Sequence, residues 1–110
     1  MALKDRLGKC YMLAYQHVTE KQDWTLCHGF ITDNIFGTGN TIDHAWCEHN
    51  ATGKLYDPVL QKHYSKEMFI ATFSPDTTVR YTKQEVLQHA FKFKHYGPWH
   101  EIDNSKIKFN

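Results

Sequence analysis

The sequence predicts an α+β domain, with an N-terminal helix and a C-terminal helix packed on a small antiparallel sheet. Three observations carry that expectation. From residue 10 onward, Cys10, Leu13, Ala14, His17 and Val18 fall at i, i+3, i+4, i+7 and i+8, which is one face of a helix. Residues 25–32 and 42–49 read as strands by alternation, and Asn50-Ala51-Thr52-Gly53 turns the second one back as a hairpin. Thr82-Lys83-Gln84-Glu85 has the spacing of a capping box at the head of a later helix. A chain of 110 residues fits one domain with a modest core.

Taken in order, residues 1–7 read as an extra helical turn or a lead-in arm. Gly8-Lys9 turns the chain into a helix over Cys10–Thr19, with Cys10 on the inward side of the first turn. In the strand Thr25–Thr32, Leu26, His28 and Phe30 share one face, while Cys27, Gly29 and Ile31 share the other. The Gly, Asn and Asp between Thr32 and Thr41 mark a loop. Ile42–His49 is a strand with His44, Trp46 and Glu48 on one face. Lys54–Tyr56 is the returning strand, and Pro58 after Asp57 stops ladder pairing. Ser65 caps a short helix to Phe73, and Thr77–Tyr81 is extended. The capping-box helix runs to about Lys94, Gly97-Pro98 ends it, and the tail from Glu101 is expected to fray.

Composition narrows the class. An apolar share of 41% and a charged share of 23% suit a globular protein in water. The net charge of +1 argues against a dedicated nucleic-acid binder, and Glu101 and Asp103 interrupt the mildly basic stretch Lys92–Lys108. No apolar run of about 18 residues predicts a membrane span. Charges in Met1–Arg6 stand where a signal peptide needs apolar residues, so a cytoplasmic location and no membrane partner are expected. Cys10, Cys27 and Cys47 are an odd count, which argues against a disulfide framework and leaves a thiol for chemistry. Cys27, His28, Cys47 and His49 are a weak metal set, because Cys27 and His28 point to opposite faces of their strand. No cofactor is expected.

The chemistry-bearing groups occur in the order Cys10, His44, Asp57: a nucleophile, a base and an orienter. A cysteine in the first turn of a helix sits at the positive end of the dipole, which favours its thiolate. A mid-strand histidine is held rigidly enough to meet a fixed sulfur. With the hairpin turn at 50–53, residues 56 and 57 fall roughly opposite 46 and 47. The carboxylate is then within reach of the imidazole, one residue off direct opposition. The competing readings are a small buried core cysteine, a hydrogen-bonded core histidine, and a turn aspartate bonded to nearby amides.

Gly8-x-Cys10-Tyr11, His44-Ala45-Trp46-x-Glu48 and Tyr56-Asp57-Pro58 together resemble the papain-like superfamily, in the style of its transglutaminase-like and NlpC/P60-like cysteine peptidases. With Cys27-His28-Gly29 and Tyr96-Gly97-Pro98-Trp99 added, the set is similar to small proteins of unassigned function from bacteria and their phages. The three core motifs of the resemblance span residues 8–58, about half the chain. The resemblance implies a helix packed on an antiparallel sheet, with thiol and imidazole facing each other across a cleft. Cys10 is then the nucleophile, His44 the base and Asp57 the orienter of a thiol-dependent hydrolase or acyltransferase. Its partner would be a peptide, protein or other substrate with an amide, isopeptide or thioester bond.

One departure stands out. Many papain-like enzymes place a glutamine shortly before the cysteine as an oxyanion donor, and residues 2–9 contain none. The Cys10 amide supplies one donor; Tyr11, the Trp24 indole and His28 are candidates for a second. Trp46 is expected to pack beneath the imidazole, and Trp99 and His100 to pack at the helix stop. The missing glutamine and the small size also support a different class: an inactive papain-like scaffold acting as a binding or inhibitory module.

Overall fold

Alternation in two long strands sets the architecture. In the computed structural model, which describes residues 2–34 and 37–99, β1 (Trp24–Thr32) and β2 (Thr41–His49) form an unbroken antiparallel ladder. It runs from Trp24 opposite His49 to Thr32 opposite Thr41. β3 (Leu55–Asp57), β4 (Lys62–Tyr64) and β5 (Asp76–Tyr81) complete a five-stranded sheet of order β4-β3-β2-β1-β5, antiparallel throughout. Four helices accompany it among the described residues: α1 (Leu3–Arg6), α2 (Cys10–Glu20), α3 (Lys66–Phe73) and α4 (Lys83–Phe93).

Both faces of the sheet are covered, and strand parity decides what meets what. On one face Leu26, Ala45, Cys47, Val79 and Tyr81 pack against Ala14 and Val18 of α2 and Val86 of α4. On the other, Cys27, Ile31, Trp46, Leu55 and Tyr64 pack against Phe69 and Phe73 of α3. Each large side chain buried this way contributes roughly 1.5–3 kcal/mol before ordering entropy is charged against it.

The helix boundaries follow local chemistry. Gly8, at φ +80°, makes the turn between α1 and α2 that a side-chain-bearing residue resists. The Ser65 hydroxyl accepts the Met68 amide at 3.1 Å and starts α3. Thr82 and Glu85 form the full reciprocal capping box of α4, at 3.2 and 3.0 Å.

The sheet is larger than the sequence predicts. β4 went unrecognised because it is three residues long and its Lys62 and His63 are exposed, so alternation has no length in which to show. β5 is extended as expected, but its place beside β1 depends on a contact between segments far apart in sequence. Gly29 makes that pairing possible. Its register shifts between His28 and Gly29, and a Cβ at Gly29 would collide with the Asp76 carbonyl. Among the described residues no helix is long and apolar enough to cross a membrane. His100 and the tail from Glu101 lie outside the described residues.

Candidate active site

Three elements deliver three groups to one place. Cys10 is the first residue of α2, where helix geometry provides no acceptor for its amide. His44 lies in β2 and is 3% exposed; Asp57 ends β3 and is fully buried. His44 Nε2 and Asp57 Oδ2 are 2.8 Å apart. The other ring nitrogen, Nδ1, is not engaged by Asp57, and Cys10 lines the same cavity as the ring.

Asp57 uses its second oxygen as well. Oδ1 accepts the Val59 amide at 2.9 Å and the Leu60 amide at 3.1 Å. The carboxylate is therefore both the turn aspartate and the imidazole's partner; the two readings are not alternatives. One detail of the expected geometry is corrected. Cys47 lies opposite Tyr56, so continuing the register sets Asp57 opposite Trp46, two positions from His44 rather than one. The pair meets because His44, Trp46 and Asp57 share one parity, and same-face diagonal neighbours remain within reach of long side chains.

The electrostatics favour a charged imidazole. Burial alone would push the His44 pKa down, but the hydrogen bonds and charges of Asp57 and Cys10 outweigh it and raise the pKa to about 9. Trp46 stacks on the ring at 6.2 Å between centroids and an interplanar angle of 22°, with Phe69 behind it, and shields the pair from water. Cys10 itself is 9% exposed. It opens on a cavity of about 170 Å³, shared with His44 and walled by Leu7, Asp33, Ile42 and Val59.

The other cysteines differ in kind. Burial pushes the Cys27 thiol up to about 12. It pushes Cys47 well above the usual thiol range, and that sulfur donates to the Ala14 carbonyl at 3.7 Å. Cys10 alone of the three lines the His44 cavity. Among the described residues no group of three or more His, Cys, Asp or Glu side chains could hold a metal. By parity Cys27 lies on the α3 side, whereas His28 and Cys47 lie on the α2 side.

The candidate oxyanion donors do not gather at the thiol. Trp24 lies opposite His49, beyond the far end of β2 from His44, and packs on His17, His49 and Tyr56. That removes the indole from the site. Tyr11 and His28 meet edge to face at 4.8 Å and line a separate cavity of about 70 Å³, and His28 is enclosed further by Tyr81 and Trp99. Trp99 is buried, with its indole N–H on the His95 carbonyl at 3.1 Å, so it packs the helix stop. Backbone amides are the donors that remain near the sulfur.

Two residues at the cavity escaped the sequence reading. Asp33 is buried; its carboxylate accepts the Thr38 hydroxyl at 2.6 Å and braces the loop that follows β1. Asp43 also lines the cavity. An acidic residue in a Gly- and Asn-rich loop reads as turn chemistry, and one beside a histidine reads as an ordinary exposed strand position. No protein-family model matches the chain, and no curated protein or solved structure matches it, so the geometry alone carries a functional reading.

Proposed function

We propose that the chain is a cytoplasmic thiol-dependent hydrolase or acyltransferase acting on an amide, isopeptide or thioester carbonyl. The observation that carries the reading is the buried His44–Asp57 pair at 2.8 Å with the Cys10 thiol on the same cavity as the imidazole. The proton of Cys10 Sγ passes to His44 Nδ1, and the sulfur attacks the carbonyl carbon. The Cys10 amide stabilises the resulting oxyanion. The tetrahedral species collapses as His44 returns its proton to the leaving amine or thiol, leaving a thioester on Cys10. Water, or an amine in a transferase, then attacks that thioester with His44 taking its proton, and the thiol is regenerated. Asp57 holds the tautomer and stabilises the imidazolium. The helix-borne thiol, the strand-borne base and the sheet between the helices also support a papain-like placement.

The test is alkylation by iodoacetamide across pH, read residue by residue by mass spectrometry. Cys10 is expected to react far faster than Cys27 and Cys47, and His44→Ala to slow it at neutral pH. Equal labelling of the three cysteines, unchanged by His44→Ala, overturns the reading.

A second reading is favoured by one observation: among the described residues no side-chain amide or hydroxyl lines the Cys10 cavity. Losing one oxyanion donor costs about 10²–10³ in rate. A scaffold so equipped serves as a binding or inhibitory module. In that case Cys10→Ala leaves the biological effect intact, while substitutions at the partner surface remove it.

A further inference from the structure

We infer that Asp43 makes the site selective for substrates that carry an ammonium or guanidinium group close to the scissile carbonyl. The inference rests on the thiol reading above and names its substrate class. Asp43 lies in β2 between Ile42 and His44, opposite Phe30. Among the described residues it alone lines both the cavity of the Cys10 sulfur and the cavity of Tyr11 and His28. By strand parity its side chain falls with Ala45 and Cys47 on the α2 side, the side from which Cys10 enters.

What distinguishes Asp43 is that nothing in the fold uses it. Both oxygens of Asp57 are engaged, by His44 and by the Val59 and Leu60 amides. Asp33 holds the Thr38 hydroxyl. Asp43 is exposed, and no hydrogen bond or ion pair among the described residues engages it. A solvent-facing carboxylate at the mouth of a nucleophile's cavity is a recognition group with its partner left to the substrate.

Besides the His44 ring, the charged residues that line the two cavities are Asp33 and Asp43, and among the described residues no lysine or arginine lines either. The nearby cations lie outside: Arg6 donates to the Val59 carbonyl at 2.5 Å, and Lys9 is exposed ahead of the thiol. The imidazolium is answered by Asp57. A cationic group approaching Cys10 past Asp43 therefore meets a carboxylate with no ion-pair partner among the described residues, and an anionic one is repelled. At a separation of about 6 Å in near-aqueous surroundings, a single carboxylate changes the encounter by roughly three- to tenfold at low salt.

Methanethiosulfonate reagents of different charge test this on the full chain without a known substrate. Cys10 Sγ attacks the reagent sulfur, forming a mixed disulfide and releasing methanesulfinate. Rates for the ethylammonium, the neutral methyl and the ethylsulfonate reagents are each divided by their rates with a free thiol. The wild-type protein is expected to favour the cation over the anion by about tenfold at low salt, and less at high salt. Asp43→Asn abolishes most of that preference with little change for the neutral reagent, and Asp43→Lys reverses it. Asp23→Asn, at the opposite end of β1, leaves it intact. A charge preference unchanged in Asp43→Asn and Asp43→Lys overturns the proposal. Failure of the thiol reading is seen separately, as a neutral-reagent rate at Cys10 insensitive to His44→Gln.

Discussion

Replacing Asp57 with asparagine changes one charge and almost none of the shape. Oδ1 can still accept the Val59 and Leu60 amides, so the turn survives. The group facing His44 Nε2 becomes an N–H donor. The imidazole must then present a bare Nε2 to it and carry its proton on Nδ1, where the thiol's proton should go. The magnitude follows from His44. A pKa raised from 6.5 to about 9 corresponds to roughly 3 kcal/mol of native-state stabilisation at 1.36 kcal/mol per pH unit. Cys10 supplies part of that pull, so roughly 3 kcal/mol is the ceiling for what Asp57 contributes. Because the folded pKa is raised, this stabilisation is complete below 6.5 and is lost as pH rises through about 9. Urea unfolding of wild type and Asp57→Asn at about pH 6 and about pH 10 measures it. The stability gap should be widest in acid and narrow in base, by at most about 3 kcal/mol. Cys10 alkylation at neutral pH should slow in the same variant. A gap independent of pH would refute the charged pair.

Three further expectations come from other parts of the fold. His17 Nε2 is buried without a hydrogen-bond partner, and burial, aided by Lys21 and His63, lowers the ring's pKa to about 4. Its neutral form favours folding above pH 6.5, and that contribution is lost as pH falls toward about 4, so His17→Gln should flatten the acid limb of stability. Gly29→Ala should destabilise by more than about 3 kcal/mol in urea unfolding, because the new methyl must displace the Asp76 backbone. Thr82→Ala removes one arm of the α4 capping box and should cost about 1 kcal/mol, visible as a lower Tm with the site chemistry unchanged.

Legibility in the sequence tracked how local the physics is. α2, β1, β2 and α4 are readable because each carries its own period, and α4 its cap, within about ten residues of chain. The Ser65 cap and the Asn50–Gly53 turn were readable for the same reason. β4, and the placement of β5 beside β1, depend on pairing partners distant in sequence, and the Gly29–Asp76 approach that permits the latter leaves no periodic trace. The site divided along the same line. Cys10, His44 and Asp57 are singled out as candidates by order and element type; the structure sets His44 against Asp57 and puts Cys10 on the His44 cavity. Trp24 was misplaced because its position relative to the thiol depends on strand direction: α2 and β1 put it beside His17, near the far end of the helix from Cys10. Asp43 was passed over because an exposed carboxylate acquires meaning only from the cavities on either side of it.

Asp57 joins the fold to the chemistry, and the two can still be separated. A buried ion pair is weak evidence for stability: its desolvation offsets much of its attraction, and apolar replacements of similar volume are often neutral or stabilising. Breaking such a pair from one side leaves a buried charge uncompensated and costs about 3–5 kcal/mol. Asp57→Asn combined with His44→Leu discriminates, because asparagine keeps the turn acceptor while leucine fills the ring's place against Trp46. If the pair is held for chemistry, the double variant should be at least as stable as wild type in urea unfolding. His44→Leu alone should lose several kcal/mol. If the double variant is as unstable as that single one, the pair is part of the scaffold and the case for a catalytic base at His44 loses its physical ground. A stable double variant whose Cys10 no longer alkylates rapidly would instead mark a fold carrying a costly buried charge for the sake of its thiol.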